Sequence, residues 1–120
     1  MTNGTTPPLV TVITAVRNGA AHIREAIESV LAQDYENIEY IVIDGASVDG
    51  TQDIVNSYSQ HFPRFQFITE PDTGISDAWN KGVRRASGEY IAFLNADDVY
   101  QPTFIRRAVS ASTRRGEVIY

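Results

Sequence analysis

The feature that most constrains this chain is an alternation of two hydrophobic periods, repeated four times along its length. Residues 9–16, Leu-Val-Thr-Val-Ile-Thr-Ala-Val, form a β-branched and almost unbroken apolar run, the pattern of a strand covered on both faces. Ile23, Ala26, Ile27, Val30 and Leu31 then recur at helical spacing and predict a helix over residues 21–33. Residues 40–43 read as a second buried strand. Ile54, Val55 and Tyr58 mark a second helix opened by the polar turn at residues 49–51. Residues 65–68 form a third strand. Ile75, Ala78, Trp79, Gly82, Val83 and Ala86 share one helical face, with Gly88 placed to end that helix. A fourth strand covers residues 90–94 and a fourth helix residues 103–113, with Pro102 in its first turn. Residues 116–120 read as a turn entering a fifth strand.

Strand and helix in strict alternation imply a parallel sheet with helices packed on it. Right-handed crossovers then give a Rossmann-like α/β fold, three layers in α/β/α order with a mainly parallel sheet. At 120 residues the chain is one domain's worth, with residues 1–8 as a flexible tail and residues 9–120 as the folded part. Because the sequence stops inside an expected strand, the expectation is a truncated domain from a longer parent. Apolar surface left open by that truncation would favour self-association.

Composition removes several functional classes. With 15 acidic and 10 basic residues and a net charge of −5, the chain repels polyanions, so no nucleic-acid partner is expected. The arginine pairs at 84–85, 106–107 and 114–115 are spaced like solvated helix faces. There is no cysteine, which excludes disulfides, thiolate metal sites and thiol nucleophiles. The longest apolar run is far too short to cross a bilayer, and the first residues lack the basic and apolar regions of a signal peptide. The expected location is cytoplasmic, with attachment at the inner-membrane face supplied by other parts of the parent.

Ligands of open parallel sheets bind outside the carboxyl ends of the strands. Polar clusters follow all four strands: Thr14, Arg17 and Asn18; then Asp44 to Thr51; then Glu70 to Gly74; then Asn95 to Asp98. Asp97 and Asp98 are adjacent carboxylates anchored by an apolar strand. Such a pair either sits with a divalent cation, magnesium or manganese, shared with substrate phosphates, or belongs to a plain turn before a helix. Asp44 stands where doubly wound sheets grip a nucleoside, although a turn former would look the same. The loop from Gly45 to Thr51 has the glycine spacing of a phosphate-binding loop. Thr51 occupies its lysine slot, however, and that reading fails. Neither a dinucleotide fingerprint nor a hydrolase nucleophile elbow is present. His22 and His61 have no partners at ligand spacing, and Trp79 reads as core.

Five blocks, taken in order, resemble a known family. They are Val10-Thr-Val-Ile-Thr-Ala-Val-Arg-Asn18, Ile27-Glu-Ser-Val-Leu-Ala-Gln33, Tyr40-Ile-Val-Ile-Asp-Gly-Ala-Ser-Val-Asp-Gly-Thr51, Glu70-Pro-Asp-Thr-Gly-Ile-Ser-Asp-Ala-Trp-Asn-Lys-Gly82 and Gly88-Glu-Tyr-Ile-Ala-Phe-Leu-Asn-Ala-Asp-Asp98. Together they resemble the N-terminal, nucleotide-sugar-binding half of the family 2 glycosyltransferases of the A-type fold. The third and fourth blocks are closest to bacterial enzymes that build cell-surface polysaccharides. The resemblance implies an inverting glycosyltransferase that moves a sugar from a nucleotide-diphosphate donor, most often a UDP-sugar, to a saccharide or lipid-linked acceptor hydroxyl. It places Asn95, Ala96 and Asp97 in the D-x-D position, with Asp97 on a divalent metal (Mn or Mg) and Asp98 as a second ligand. It sets Thr14 and Asp44 on the nucleoside, Val16 and Asn18 on the donor, and Asp77, Asn80 and Lys81 near it. Asn95 replaces the usual first aspartate, and Gly45 stands where many relatives carry a second one. The catalytic base is expected beyond Tyr120, so the isolated chain is expected to be inactive.

Three other readings share parts of this pattern. A non-catalytic nucleotide-binding module would keep the fold, and Asn95 is the feature that favours it. A nucleotidyltransferase would need a richer basic glycine loop than Arg17-Asn-Gly-Ala20. A receiver domain would need an acidic pair after the first strand, where Thr14 to Asn18 stand instead.

Overall fold

The computed structural model describes residues 7–112 and the backbone of residues 118–119. Five parallel strands, β1 (Val10–Val16), β2 (Ile38–Asp44), β3 (Phe65–Thr69), β4 (Tyr90–Phe93) and β5 (Val118–Ile119), stand in the order β3-β2-β1-β4-β5. Helices α1 (Ile23–Leu31), α2 (Thr51–Ser57), α3 (Ile75–Arg85) and α4 (Phe104–Ala111) connect them. All seven residues of β1 and of β2 are buried, as their unbroken apolar runs require. The edge strand β3 is half-buried and carries Gln66 and Thr69 accordingly.

The two faces of the sheet are covered unequally. Val12, Tyr40, Val42, Ala92 and Leu94 meet Ile23, Ile27 and Val30 of α1, Val55 of α2 and Ile105 of α4. On the other face Ile13, Ile41 and Ile43 meet α3 through Ala78, with Trp79 packed edge-on against Phe93 at 4.8 Å. The expected three-layer α/β/α architecture is therefore present, with one helix on its thinner side among the described residues. No helix among the described residues is long and apolar enough to cross a membrane.

Strand positions match the sequence reading closely, whereas four helix ends differ from it. Helix α1 is shorter than residues 21–33: Ala21 and His22 lie in a turn whose His22 and Ile23 amides donate to the Gly19 carbonyl. Past its other end, Gln33 bridges to α4, donating to the Gln101 carbonyl at 2.7 Å and accepting from the Ile105 amide at 2.9 Å. Helix α3 stops at Arg85, and Gly88 does not cap it. A Cβ on Gly88 would lie 2.6 Å from the Thr11 backbone nitrogen, so glycine is required there by close approach to β1. Pro102 precedes the α4 cap residue Thr103 instead of opening the helix, and its carbonyl accepts from the Asp34 amide at 2.9 Å. Of the expected tail over residues 1–8, residues 1–6 lie outside the described residues, as does the helix end at Thr113; the Pro7 carbonyl accepts from the Asn37 side-chain amide at 2.8 Å and the Pro8 carbonyl from the Tyr35 hydroxyl.

Candidate active-site cleft

The chain runs outward from β1 to β2 to β3, then returns across the sheet to β4 beside β1. The carboxyl ends of β1 and β4 therefore flank the point where strand order reverses, where a crevice opens by construction. The loops after β1, β2, β3 and β4 all leave the sheet at this edge.

The β2–α2 loop folds back onto the turn after β1. Asp44 is fully buried at its root. One of its oxygens accepts from the Ser47 hydroxyl. The other accepts from the Ser47 amide at 3.1 Å, the Thr69 hydroxyl at 2.7 Å and the Gln52 amide at 3.2 Å. Ser47, thus aimed, accepts from the Asn18 amide at 2.7 Å. Thr51 accepts from the Gly19 amide and Asp49 from the Ala20 amide, each at 3.0 Å. In return the Asn18 side chain accepts from the Val48 amide at 2.9 Å. Three consecutive backbone donors after β1 are satisfied by side chains of one loop. This clasp explains why Ser47, Asp49 and Thr51 alternate, and why Asn18 adopts a left-handed φ of 51°. Hydrogen bonding by the Thr51 hydroxyl, then by the Ala20 amide, holds the Asp49 carboxyl below its ordinary range.

The β3–α3 loop is tied down by a different set. Lys81, only 13% exposed, reaches Glu70 at 3.1 Å, Asp77 at 3.2 Å and the Pro71 carbonyl at 3.1 Å. Burial alone would lower its ammonium, but the hydrogen bonds to Glu70 and Asp77 outweigh that and raise it. Asp77 accepts from the Thr73 amide, which together with Lys81 lowers its carboxyl.

Between these loops lies a cleft with two compartments that share Ala15, Val16, Arg17 and Ile75. One, of about 450 Å³, adds Asp72, Thr73, Gly74 and Ala78. The other, of about 490 Å³, adds Asn18, Gly19, His22, Asn95, Ala96 and Asp97. Gly45 borders the first: a Cβ there would stand 2.7 Å from an Asp72 oxygen, so glycine lets that carboxylate come close. A larger hollow of about 540 Å³, beside Tyr100, Phe104 and Arg107, lies on α4 and the loop before it and contains no carboxylate.

The structure thus brings Val16, Asn18, Asn95, Ala96 and Asp97 into one compartment. Asp98 is exposed beside them, its carboxylate accepting from the Asn95 amide nitrogen at 3.2 Å. It does not bring Thr14 or Asp44 to the cleft surface. Both are fully buried, Thr14 sharing a 2.8 Å hydrogen bond with the Tyr40 hydroxyl. Asp77 and Lys81 brace the loop from behind, and Asn80 is exposed on α3 outside both linings. Arg17, His22, Asp72 and Ile75 line the cleft although the motifs did not single them out as donor contacts. Their only sequence signal is position, at strand ends and helix starts that the sheet order brings together.

The mainly parallel α/β sheet with a polar cleft at its switch point is the architecture of the A-type fold of glycosyltransferases, to which the similar solved structures belong. Residues 11–120 match glycosyl transferase family 2. The chain belongs to that family. It is 39% identical over 110 residues to an uncharacterized glycosyltransferase of Rickettsia typhi, covering 92% of this chain and 34% of that one. It is also 39% identical over 95 residues to Bacillus subtilis TuaG, a protein named for teichuronic acid biosynthesis, covering 78% of this chain and 38% of TuaG. Among solved structures, S. aureus TarS (residues 1–349) superposes with a TM-score of 0.79 at 25% identity, over 85% of this chain and 31% of that one. The mannosyltransferase PcManGT of Pyrobaculum calidifontis, in complex with GDP-Man and Mn2+, gives 0.73 at 33% identity, over 80% of this chain and 29% of that one. The chain spans about a third of the length of these relatives.

Proposed function

We propose that this chain holds the donor of an inverting sugar transfer: a nucleotide-diphosphate sugar, a UDP-sugar before others, bound in the double cleft. The observation that carries the reading is the exposed Asn95-Ala96-Asp97 turn at the reversal point between β1 and β4. Complexes of TarS with UDP and with UDP-GlcNAc, and of PcManGT with GDP-Man, support a nucleotide-sugar ligand. The name of TuaG supports a product among bacterial surface polysaccharides.

The residues fit a divalent metal of one particular kind. No group of three or more His, Asp or Glu side chains stands together among the described residues, so they form no self-contained cage. Asp97 is exposed on the cleft with Asp98 next to it. Magnesium and manganese are commonly held in this way, by one or two carboxylates plus substrate phosphates. Asp97 would hold the metal, with Asp98 as second ligand, and the bound metal would offset the charge developing on the departing diphosphate.

Asn95 donates its amide nitrogen to Asp98, which leaves its carbonyl oxygen as an acceptor for a donor hydroxyl. Val16, Asn18 and Ala96 supply wall, while the buried Thr14 and Asp44 set that wall's position from behind. In the transfer a carboxylate base takes the acceptor's hydroxyl proton. The freed oxygen then attacks the anomeric carbon as its bond to the diphosphate breaks. We assign that base to the part of the relatives' length that this chain does not match, and the donor-binding role to the residues described above. Calorimetric titration of UDP with manganese and with chelator tests the reading. Metal-dependent binding, lost in Asp97→Ala, is expected; a folded chain that binds no UDP with manganese, or binds equally in chelator, would contradict it.

A further inference from the structure

The donor reading leaves an electrostatic requirement that the carboxylates cannot meet. A nucleoside diphosphate is strongly anionic, the chain carries a net charge of −5, and Asp72 and Asp97 both line the cleft. A single divalent metal at Asp97 would offset only part of that charge. The basic side chains nearby are mostly committed elsewhere. Lys81 is held by Glu70, Asp77 and Pro71. Arg84 and Arg85 lie at the far end of α3, about 10 Å in helical rise beyond Ala78, the last residue of that helix on the cleft. His22 is drawn to within 3.9 Å of Glu25.

Arg17 differs from all of these. It is exposed, it lines both compartments, and no hydrogen bond or ion pair to it is found among the described residues. The backbone on either side of it is fixed. The Val16 carbonyl accepts from the Gly45 amide at 2.8 Å, and Asn18 is clasped to Ser47 and Val48. A free guanidinium on a fixed stretch of backbone, at the joint of two compartments, is available to a bridging anion. Its planar fork can donate to two phosphate oxygens at once.

We propose that Arg17 is the protein's own counter-charge to the donor diphosphate, pairing with a phosphate oxygen where the compartments meet. This rests on the donor reading and adds to it: recognition of the diphosphate is shared between Asp97 and Arg17, and Arg17 does not read the nucleoside. Titrating the folded chain, with magnesium present, against UDP and against uridine separates the contributions. Arg17→Ala is expected to weaken UDP about 10-fold or more, the size of a lost charge-assisted hydrogen bond, and to leave uridine within about twofold. Arg17→Lys keeps the charge without the fork and is expected to recover part of the loss. Since Arg17 is exposed, the variants should keep the wild-type circular dichroism. Equal losses on UDP and uridine would place the contact on the nucleoside and overturn the proposal. UDP binding unchanged in Arg17→Ala would overturn it while leaving the donor reading intact. A folded wild-type chain that binds no UDP would overturn the donor reading and this proposal together.

Discussion

Two aspartate-bearing loops leave the same edge of the sheet, and they are built for opposite purposes. After β2, Asp44, Ser47, Asp49 and Thr51 turn inward and spend their oxygens on backbone and side-chain donors. After β4, Asn95, Asp97 and Asp98 stay at the surface. The first loop has the denser motif, yet its anchor Asp44 is fully buried. The second is short and lines the cleft. A polar motif therefore marks a ligand site only when its atoms remain unspent after the backbone has been satisfied.

Breaking the clasp at its root should give the largest effect. Asp44→Ala removes a fully buried carboxylate and orphans the buried Ser47 donors together with less buried donors on Gln52 and Thr69. It should cost about 3 kcal/mol in urea unfolding, the scale of a broken buried network. A smaller effect is expected at the exposed end of the same clasp. The Asp49 carboxyl is lowered, chiefly by the Thr51 hydroxyl and also by the Ala20 amide, so its contribution is present above the unfolded value of 3.8 and disappears as pH falls through the folded value beneath it. Thermal melts between pH 6 and pH 2 should show a lower Tm for Asp49→Asn at pH 6 and a shallower decline on the acid side than for the wild type. The smallest effect belongs to the other loop. Asp97→Ala should stay within about 0.5 kcal/mol of the wild type, as exposed substitutions do. A stability loss there as large as that of Asp44→Ala would erase the distinction between the two loops.

Burial explains what could be read from the sequence. Strands β1 and β2 are covered on both faces, so their hydrophobic runs coincide with their limits to within about two residues. Gly88 and Pro102 carried helix-end signals whose real cause is a contact with Thr11 in one case and Asp34 in the other, both distant in sequence. The place of Val16, Asn18 and Asn95 to Asp97 on the cleft was legible because they stand at or just after the ends of β1 and β4. Whether Asp44 faces outward or inward depends on Ser47 and Thr69 folding over it, which no local pattern encodes. Arg17 joins the cleft only because β4 lies beside β1 and Ile75 of α3 closes over them, an adjacency set by strand order.

Residue-resolved amide hydrogen exchange, on the free chain and with UDP and magnesium, tests the division of labour most directly. The clasp donors Asn18, Gly19, Ala20 and Val48 should be protected without ligand and change little on its addition. Ala96 and Asp97 should exchange quickly in the free chain and slow when UDP and magnesium are present. Clasp amides that exchange freely until UDP is added, with no change at Ala96 and Asp97, would contradict the account.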